Sequence, residues 1–115
     1  MKIAKNLTYY KGLIFEVLAC FVLFMKGYKI LKRNYKTSAT SQIDILALKG
    51  GIIRVVEVKY RKKFENSINA ISPSQAKRLQ RSAINIAKKY KKATVVDAMF
   101  FSLDKPYISH KKNIF

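Results

Sequence analysis

The sequence has few of the residues that bind transition metals or form disulfides. Cys20 is the only cysteine and His110 the only histidine among 115 residues. A single cysteine cannot form an internal disulfide, so a reducing compartment, the cytoplasm, is expected. The same scarcity excludes a zinc site of histidine and cysteine and a catalytic triad built on histidine. A metal ion bound here would therefore be a hard cation held by carboxylates.

Acidic residues are also scarce. Only 6 Asp and Glu stand against 24 Lys and Arg, which gives a net charge of +18. A surface this positive attracts polyanions, nucleic acid first and an anionic membrane surface second. A biased genomic base composition would enrich lysine, but it would raise glutamate as well. The charge balance therefore predicts a nucleic-acid partner.

A long hydrophobic segment is missing too. The longest apolar run, residues 13 to 25, contains Glu16 and ends before Lys26, whereas a membrane-spanning helix needs about 20 apolar residues. Lysines precede the run as in a signal peptide, but no small-residue cleavage site follows it, and the acid argues against export. No membrane span is predicted, and attachment to a membrane surface is kept as an alternative.

The hydrophobic pattern predicts one α/β domain, residues 1 to 115, with elements in the order αβββαβ. The expected elements are a helix over 8–26, strands over 28–35, 42–48 and 52–60, a helix that starts at the Ser72–Gln75 capping box, a strand over 93–103 and a basic tail over 103–115. Strands on either side of a crossover helix run parallel, so the central sheet is mixed and flanked by helices on both faces.

Each helix carries an apolar stripe at helical spacing. In the first helix we expect Leu13, Val17, Phe21 and Phe24 to face the core, widened by Ile14, Leu18 and Met25, while Glu16, Ala19, Cys20 and Leu23 share another face. In the second helix the stripe consists of Ala76, Leu79, Ala83, Ile86, Ala87 and Tyr90.

Two acids lie inside the central predicted hairpin. If Gly50 and Gly51 form a two-residue turn, Asp44 lies directly opposite Glu57 in a non-hydrogen-bonded pair with Cα atoms about 4.5 Å apart. Gln42 and Lys59 then share their face, and Ile43, Ile45, Ala47, Val56 and Val58 occupy the other. A three-residue loop would instead place the two acids on opposite faces and leave Glu57 to pair with Lys59 or Arg54.

Such a pair of carboxylates is costly. At about 5 Å two carboxylates repel by roughly 3 kcal/mol at an effective dielectric of 20. A shared proton, a pairing lysine or a divalent cation would offset this cost, and Mg²⁺ fits best because it prefers carboxylate oxygens and retains water ligands.

These residues resemble the active-site pattern of the PD-(D/E)XK nuclease superfamily. An acid on the first helix is followed by Ile43-Asp44-Ile45 and then by Val56-Glu57-Val58-Lys59. More narrowly, the chain resembles the YraN-like family of uncharacterised bacterial proteins, which are similar to Holliday-junction resolvases. The similarity also covers GYKILKRNY at 27 to 35, Gln75, Arg78 and Asp97. It implies a restriction-endonuclease-like core.

The resemblance also implies roles for individual residues. Asp44, Glu57 and the Val58 carbonyl would bind Mg²⁺ or Mn²⁺, and Glu16 would reach the metal directly or through water, or else be a buried neutral or lysine-paired acid. Lys59 would orient the attacking water, or simply form a salt bridge to Glu57. Gln75 is expected to serve the capping box rather than catalysis. Arg61, Lys62, Lys63, Lys77, Arg78 and Arg81 are the candidates for phosphate contact, the alternative being a solvated face.

The predicted function is metal-dependent hydrolysis of phosphodiester bonds in nucleic acid, DNA rather than RNA, by an endonuclease that acts as a homodimer by analogy. The alternative is a nucleic-acid-binding module of the same fold with little catalysis. Two departures from the family pattern bear on activity: Gln42 replaces an acid next to Ile43-Asp44, and an arginine before the last-strand Asp97 is absent, with Thr94 and Val95 in that region.

Overall fold

The structure, a computed structural model, describes residues 2–37, 41–67 and 69–115, with side chains from Tyr10 onwards. Residues 38–40, between the first two predicted strands, lie outside the described residues. The elements are α1 Lys2–Met25, β1 Lys29–Lys36, β2 Gln42–Lys49, β3 Ile52–Tyr60, a short 3-10 helix Phe64–Ser67, α2 Pro73–Tyr90, β4 Thr94–Phe101 and β5 Ile108–Lys111.

The described strands form one five-stranded mixed sheet in the order β1-β2-β3-β4-β5. β3 and β4 are parallel, as expected for strands joined through α2, and the other neighbours are antiparallel. α1 packs on one face, with Ala19 and Leu23 against Ile45 and Val56. α2 packs on the opposite face. The predicted fold class is confirmed: this is an α/β protein consistent with the restriction-endonuclease-like core.

The hairpin between β2 and β3 has the predicted turn. Gly50 and Gly51 have φ angles of 61° and 77°, which glycine adopts without strain and which a two-residue hairpin turn requires. Lys49 pairs with Ile52, and the register continues to the Ile45–Val56 pair. The two-residue loop and its register are therefore confirmed as far as that pair.

α2 begins as the sequence predicts. The Ser72 side chain accepts a hydrogen bond from the Gln75 backbone N–H, and the Gln75 side chain accepts one from the Ser72 N–H. The apolar stripe faces the sheet: Leu79, Ala83 and Ile86 are buried. α2 runs back along β3, so its first turn lies at the end of the sheet where β3 and β4 finish. We call this the site end, and the end near Gly50 the hairpin end.

The prediction for the packed face of α1 was wrong. Val17, Phe21 and Phe24 are exposed, with 62% of Phe21 accessible to solvent. The face that contacts the sheet carries Ala19 and Leu23, both fully buried. Small Ala19 lets the helix approach the sheet closely, so the stripe with the largest side chains is left outside.

The segment predicted as a basic tail contains β5. Ile108–Lys111 pairs with β4, and beyond it the Ile114 N–H donates to the Val96 carbonyl at 2.9 Å. The lysines of this segment concealed a short strand, whose residues add to the sheet rather than extend into solvent. The expectation that His110 lies in a polar tail was therefore also wrong.

Candidate active site

Glu57 is the buried acid at the centre of the candidate site. It projects from β3 toward α2 and is only 8% exposed. Burial raises the pKa of Glu57 to about 7, and the neighbouring Asp44 carboxylate adds to the rise through its charge and a hydrogen bond. The Lys59 ammonium, 3.3 Å from Glu57 Oε2, opposes this shift. Near neutral pH, this acid therefore exchanges a proton readily.

Asp44 reaches β3 in a way that the sequence did not predict. The β2–β3 ladder ends at Ile45–Val56, one pair before Asp44 and Glu57 would face each other. The Asp44 Oδ2 atom instead accepts the Val58 backbone N–H at 2.9 Å. The carboxylate thus takes the place of the backbone carbonyl that would continue the ladder, and it lies in contact with Glu57.

A local distortion of β1 and β2 accompanies this contact. Asn34 has a φ angle of 49° and lies opposite Asp44, between the Arg33–Ile45 and Tyr35–Ile43 pairs. Beyond it Ile43 packs in the α2-face cluster, whereas it was predicted to share a face with Ile45 and Ala47. Asn34 thus has a left-handed conformation, which asparagine tolerates better than most residues.

Val58 supplies a backbone carbonyl at the same place. In an antiparallel ladder the N–H and C=O of one residue point to the same neighbour. The Val58 N–H points to Asp44, so its carbonyl also points toward β2, beyond the last ladder pair. This is the orientation that the predicted ligand role requires.

Glu16 lies near Asp44, on the α1 side of the sheet. Burial raises the pKa of Glu16, and the charge of Asp44 adds to the rise, while a hydrogen bond with Asn34 and the charge of Arg33 oppose it. Its Oε1 atom is buried without a hydrogen-bond partner. A buried oxygen in this state favours either protonation or a cation ligand.

The acids do not form a complete metal-binding cluster. Over residues 2–37, 41–67 and 69–115, no three side chains of Asp, Glu, His or Cys come close enough to hold one ion. Asp44 and Glu57 are in contact, and together with the Val58 carbonyl they provide hard oxygen donors. This donor set fits Mg²⁺, which commonly uses one or two carboxylates and keeps several waters.

Gln75 connects α2 to Glu57. While its Oε1 completes the capping box, its Nε2 donates a 3.4 Å hydrogen bond to Glu57 Oε2. We had expected the capping role alone. The sequence signal that could have revealed the contact is the crossover connection itself, which brings the first turn of α2 to the site end of β3.

Comparison with models of protein families assigns the chain to a family. The model of the Uncharacterised protein family UPF0102 matches residues 15–100. The chain belongs to this family. A UPF0102 protein of Caulobacter vibrioides is 42% identical over 72 residues, 63% of this chain and 57% of that protein. One from Parvibaculum lavamentivorans is 36% identical over 93 residues, 81% of this chain and 69% of that protein.

A UPF0102 protein of Brucella canis is 35% identical over 79 residues, 69% of this chain. The match spans 62% of the length of that relative. The part of the chain that the family model matches contains the candidate site, from Glu16 through Lys59 and Gln75 to Asp97. The expected membership in an uncharacterised bacterial family is confirmed, whereas the PD-(D/E)XK superfamily remains a prediction.

The predicted phosphate-binding residues of this UPF0102 chain form two groups. Lys62 and Lys63 are exposed at the site end, just after β3, while Arg61 is half-buried and donates to the Tyr60 carbonyl at 2.7 Å. On α2, Lys77 and Arg81 are exposed, and Arg78 is half-buried one turn after Gln75. Arg78 is therefore the α2 cation that shares a helical face with Gln75, which bonds to Glu57.

Asp97 lies on the other face of the sheet from Glu57. It is fully buried and accepts hydrogen bonds from Arg54 at 2.9 Å, His110 at 2.7 Å and the Asn113 N–H at 2.9 Å. Burial alone would raise the pKa of Asp97, but these three partners together lower it. Asp97 thus holds β3, β4 and β5 together, and Arg54 bonds to Asp97 rather than to Glu57.

Proposed function

We propose that this protein is a metal-dependent endonuclease that hydrolyses phosphodiester bonds in nucleic acid, DNA rather than RNA. The observation that carries the proposal is the contact of Asp44 with Glu57 next to Lys59, in a chain with a net charge of +18. The preference for DNA rests on the resemblance to resolvases. The proposal includes a cytoplasmic location, which the single cysteine supports.

The carboxylates would hold Mg²⁺ or Mn²⁺ together with the Val58 carbonyl. A bound divalent cation lowers the pKa of a water ligand and offsets charge that develops on the phosphate. Glu16, with its unpartnered oxygen, would accept a hydrogen bond from a water molecule on the α1 side. Gln75 would keep Glu57 oriented, because its amide N–H donates to Glu57 Oε2.

Lys59 is the residue that would act on the reacting groups. Its ammonium lies 3.3 Å from Glu57 and its side chain is 18% exposed, so the salt bridge predicted as the simpler alternative is present. With a cation held by Glu57, Lys59 would be free to orient the attacking water and to stabilise charge on the phosphate. The salt bridge and this role would then belong to the protein without and with a bound cation.

A cleavage assay tests this function. The protein is incubated with single-stranded, duplex and branched DNA in Mg²⁺, Mn²⁺ or EDTA. We expect cleavage only with a metal, and a fall of roughly 100-fold or more in Asp44→Asn and Glu57→Gln. Glu65→Gln, which changes an exposed acid, is the matched control. Cleavage that persists in EDTA or in both active-site variants would contradict the proposal.

A nucleic-acid-binding module is the second candidate. Two observations favour it: no group of three metal-ligating side chains is found in the described part of the chain, and Gln42 is exposed and bonds to Asn34 rather than supplying an acid. The same assay separates the two candidates. Tight binding without cleavage in either metal supports the module.

We also propose that two copies associate through the outer face of α1. This face carries six exposed apolar side chains: Ile14, Val17, Leu18, Phe21, Phe24 and Met25. It contains no charge, so two copies can meet there without the repulsion that a net charge of +18 imposes elsewhere. Phe21, Phe24 and Met25 are 62%, 67% and 69% exposed, so contact between two copies would remove much apolar surface from water.

Light scattering coupled to size exclusion tests the dimer. We expect the wild type to be dimeric and Phe21→Glu to be monomeric. Ile84→Glu, which changes an exposed apolar residue on α2, should remain dimeric. A monomeric wild type, or a Phe21→Glu effect limited to binding of anionic vesicles, would contradict this assembly.

The described helices include none that is both long and apolar enough to cross a bilayer.

A further inference from the structure

A second cavity lies next to the candidate site, between the first turn of α2 and β4. Its volume is about 620 Å³, within the range of sites for small organic groups. Three phenylalanines line it, Phe64, Phe100 and Phe115. Ile71 and Pro73 complete its apolar wall. Flat rings and aliphatic groups thus form much of the cavity wall.

One polar group in this cavity has no partner. Ser67 lines the cavity and is only 3% exposed. Its Oγ is buried with no hydrogen-bond partner. A buried hydroxyl left in this state costs free energy unless a ligand satisfies it. The cavity therefore combines aromatic walls with one unused hydrogen-bonding group.

The cavity shares elements with Glu57 and Lys59. Phe100 is the β4 neighbour of Lys59 in the parallel register, and neighbouring strands lie about 4.8 Å apart. Ser72, Pro73 and Ala76 from the first turn of α2 line the cavity, and Gln75 of the same turn bonds to Glu57. A group bound in the cavity would therefore be connected to a phosphate at Lys59 by a short link.

We propose that this cavity receives one unstacked nucleobase of the nucleic acid whose phosphate is bound at Lys59. The inference rests on the proposed function and narrows its substrate to single-stranded or locally unpaired nucleic acid. A base stacked within an intact duplex cannot enter a cavity of this kind without being turned out of the helix. Stacking on phenylalanine tolerates any base, and the Ser67 hydroxyl can donate or accept at its edge.

The charges around the cavity agree with a nucleotide ligand. Lys111 of β5 lines the cavity and is exposed, and the first turn of α2 directs its positive dipole end toward the same place. Both would attract the phosphate that follows the bound base. A neutral apolar ligand would make no use of them.

Binding in EDTA tests the inference separately from cleavage. Fluorescence anisotropy compares an oligothymidylate of about 12 nucleotides with an abasic strand of the same length and charge. We expect the wild type to bind the strand with bases at least about fivefold more tightly. EDTA keeps metal out of both measurements, so the ratio reports on the bases alone.

Two variants locate the effect. Ala76→Leu fills the cavity and should bring the affinity ratio close to one, while Ala87→Leu, a half-buried alanine further along α2 that does not line the cavity, should keep it. Phe115→Ala removes a 46% exposed ring and should lower the ratio without threatening the fold. Thermal unfolding checks that each variant is folded.

The failures can be told apart. A wild-type ratio near one, or an undiminished ratio in both Ala76→Leu and Phe115→Ala, overturns the nucleobase pocket even if metal-dependent cleavage is found. Absence of cleavage together with the predicted ratio overturns the nuclease but keeps the pocket. If neither strand binds, the nucleic-acid proposal and the pocket are both wrong.

Discussion

Glu57 shows how one carboxyl group can be kept ready for a cation. Burial and the neighbouring Asp44 raise the pKa of Glu57 and so oppose its ionisation. Lys59 lowers the pKa of Glu57. Of the three compensations expected for the acid pair, the lysine is present and the raised pKa makes a shared proton available. A divalent cation would replace that proton, because both bind the same oxygens.

Glu57→Gln should change how stability depends on pH. The pKa of Glu57 in the folded protein is raised from 4.5 to about 7, so the protonated form favours folding. Its contribution is complete below about pH 4.5 and is lost as pH rises through 7, an effect of about 3 kcal/mol in full. In EDTA, the wild type should therefore lose more stability than Glu57→Gln between pH 5 and 8.5.

Urea denaturation of both proteins at the two pH values measures this difference, with Glu65→Gln as the control that should behave like the wild type. Equal pH dependence of the wild type and Glu57→Gln would show that Glu57 ionises normally. Added Mg²⁺ should reduce the loss in the wild type only.

Asp97→Asn should destabilise the fold. The substitution leaves Arg54 and His110 without their buried acceptor charge, and removal of one partner from such a group costs about 3–5 kcal/mol. Since the pKa of Asp97 is lowered in the folded protein, its contribution is present above about pH 4 and lost as pH falls through the folded pKa.

The difference in unfolding free energy between the wild type and Asp97→Asn should therefore shrink in acid, where the wild-type carboxyl is protonated. Urea denaturation at pH 7 and pH 3 measures it. Glu65→Gln, which alters an exposed acid, controls for a general loss of negative charge. A constant difference at both pH values would contradict this account.

The pairing of Asp97 could not be predicted from the sequence. Its partners come from β3 and from a segment after β4 that contains lysines and no long apolar run. In that segment, the apolar residues Ile108 and Ile114 are the few signs of ordered structure.

The contacts of His110 show which of its ring nitrogens carries the proton. Lys26 Nζ lies 3.1 Å from His110 Nδ1, and an ammonium can only donate there, so Nε2 carries the proton that bonds to Asp97.

Among the elements, the β2–β3 hairpin was the most predictable because its turn and pattern agree. Two consecutive glycines favour a two-residue hairpin turn, and the alternation of side chains then sets the pairs next to it. The end of the ladder at Asp44 was not predictable in this way. It depends on Asn34 in the neighbouring strand, and a single asparagine in a strand pattern does not by itself indicate a left-handed residue.

Substitutions in the turn should show that its residues must adopt a positive φ angle. Gly50→Asn should leave stability within about 0.5 kcal/mol, because asparagine adopts positive φ readily. Gly51→Val should cost roughly 1–2 kcal/mol, since a β-branched residue at a φ of 77° is strained. Thermal unfolding compares the two. Equal losses would mean that the turn rearranges.

The helices differ in predictability for a physical reason. α2 has one apolar stripe and a charged remainder, so its buried face is unambiguous. From Leu13 to Met25, α1 has apolar residues around most of its circumference, and the presence of Glu16 made the packed face look less apolar than the opposite one. Periodicity therefore predicted that the stripe with the bulkiest residues is buried. In the structure Ala19 and Leu23 are buried instead, because the helix approaches the sheet closely.

At the scale of the whole molecule, the excess of positive charge should appear as salt dependence. Each phosphate neutralised on a single strand contributes about 0.7 to the slope of log affinity against log salt. Removing both Lys62 and Lys63 at the site end should reduce the slope by about 1.4 units if each contacts one phosphate. Anisotropy titrations from low to high salt measure the slope.

The matched control removes Lys88 and Lys92, which are exposed near the hairpin end. The two doubly substituted proteins have the same net charge, so only the position of the missing lysines differs. The control should keep the wild-type slope. Equal reductions in both would show that nucleic acid is held by the overall field and not by the site end.

The outermost strands of the sheet have a consequence for handling this protein. β1 is irregular between Ile30 and Lys32 and carries Lys29, Lys32 and Lys36, and β5 has only four residues. Neither border offers a long regular template to an incoming peptide backbone. Fibril growth by strand addition is thereby discouraged, so concentrated samples should remain free of amyloid as long as those lysines stay charged.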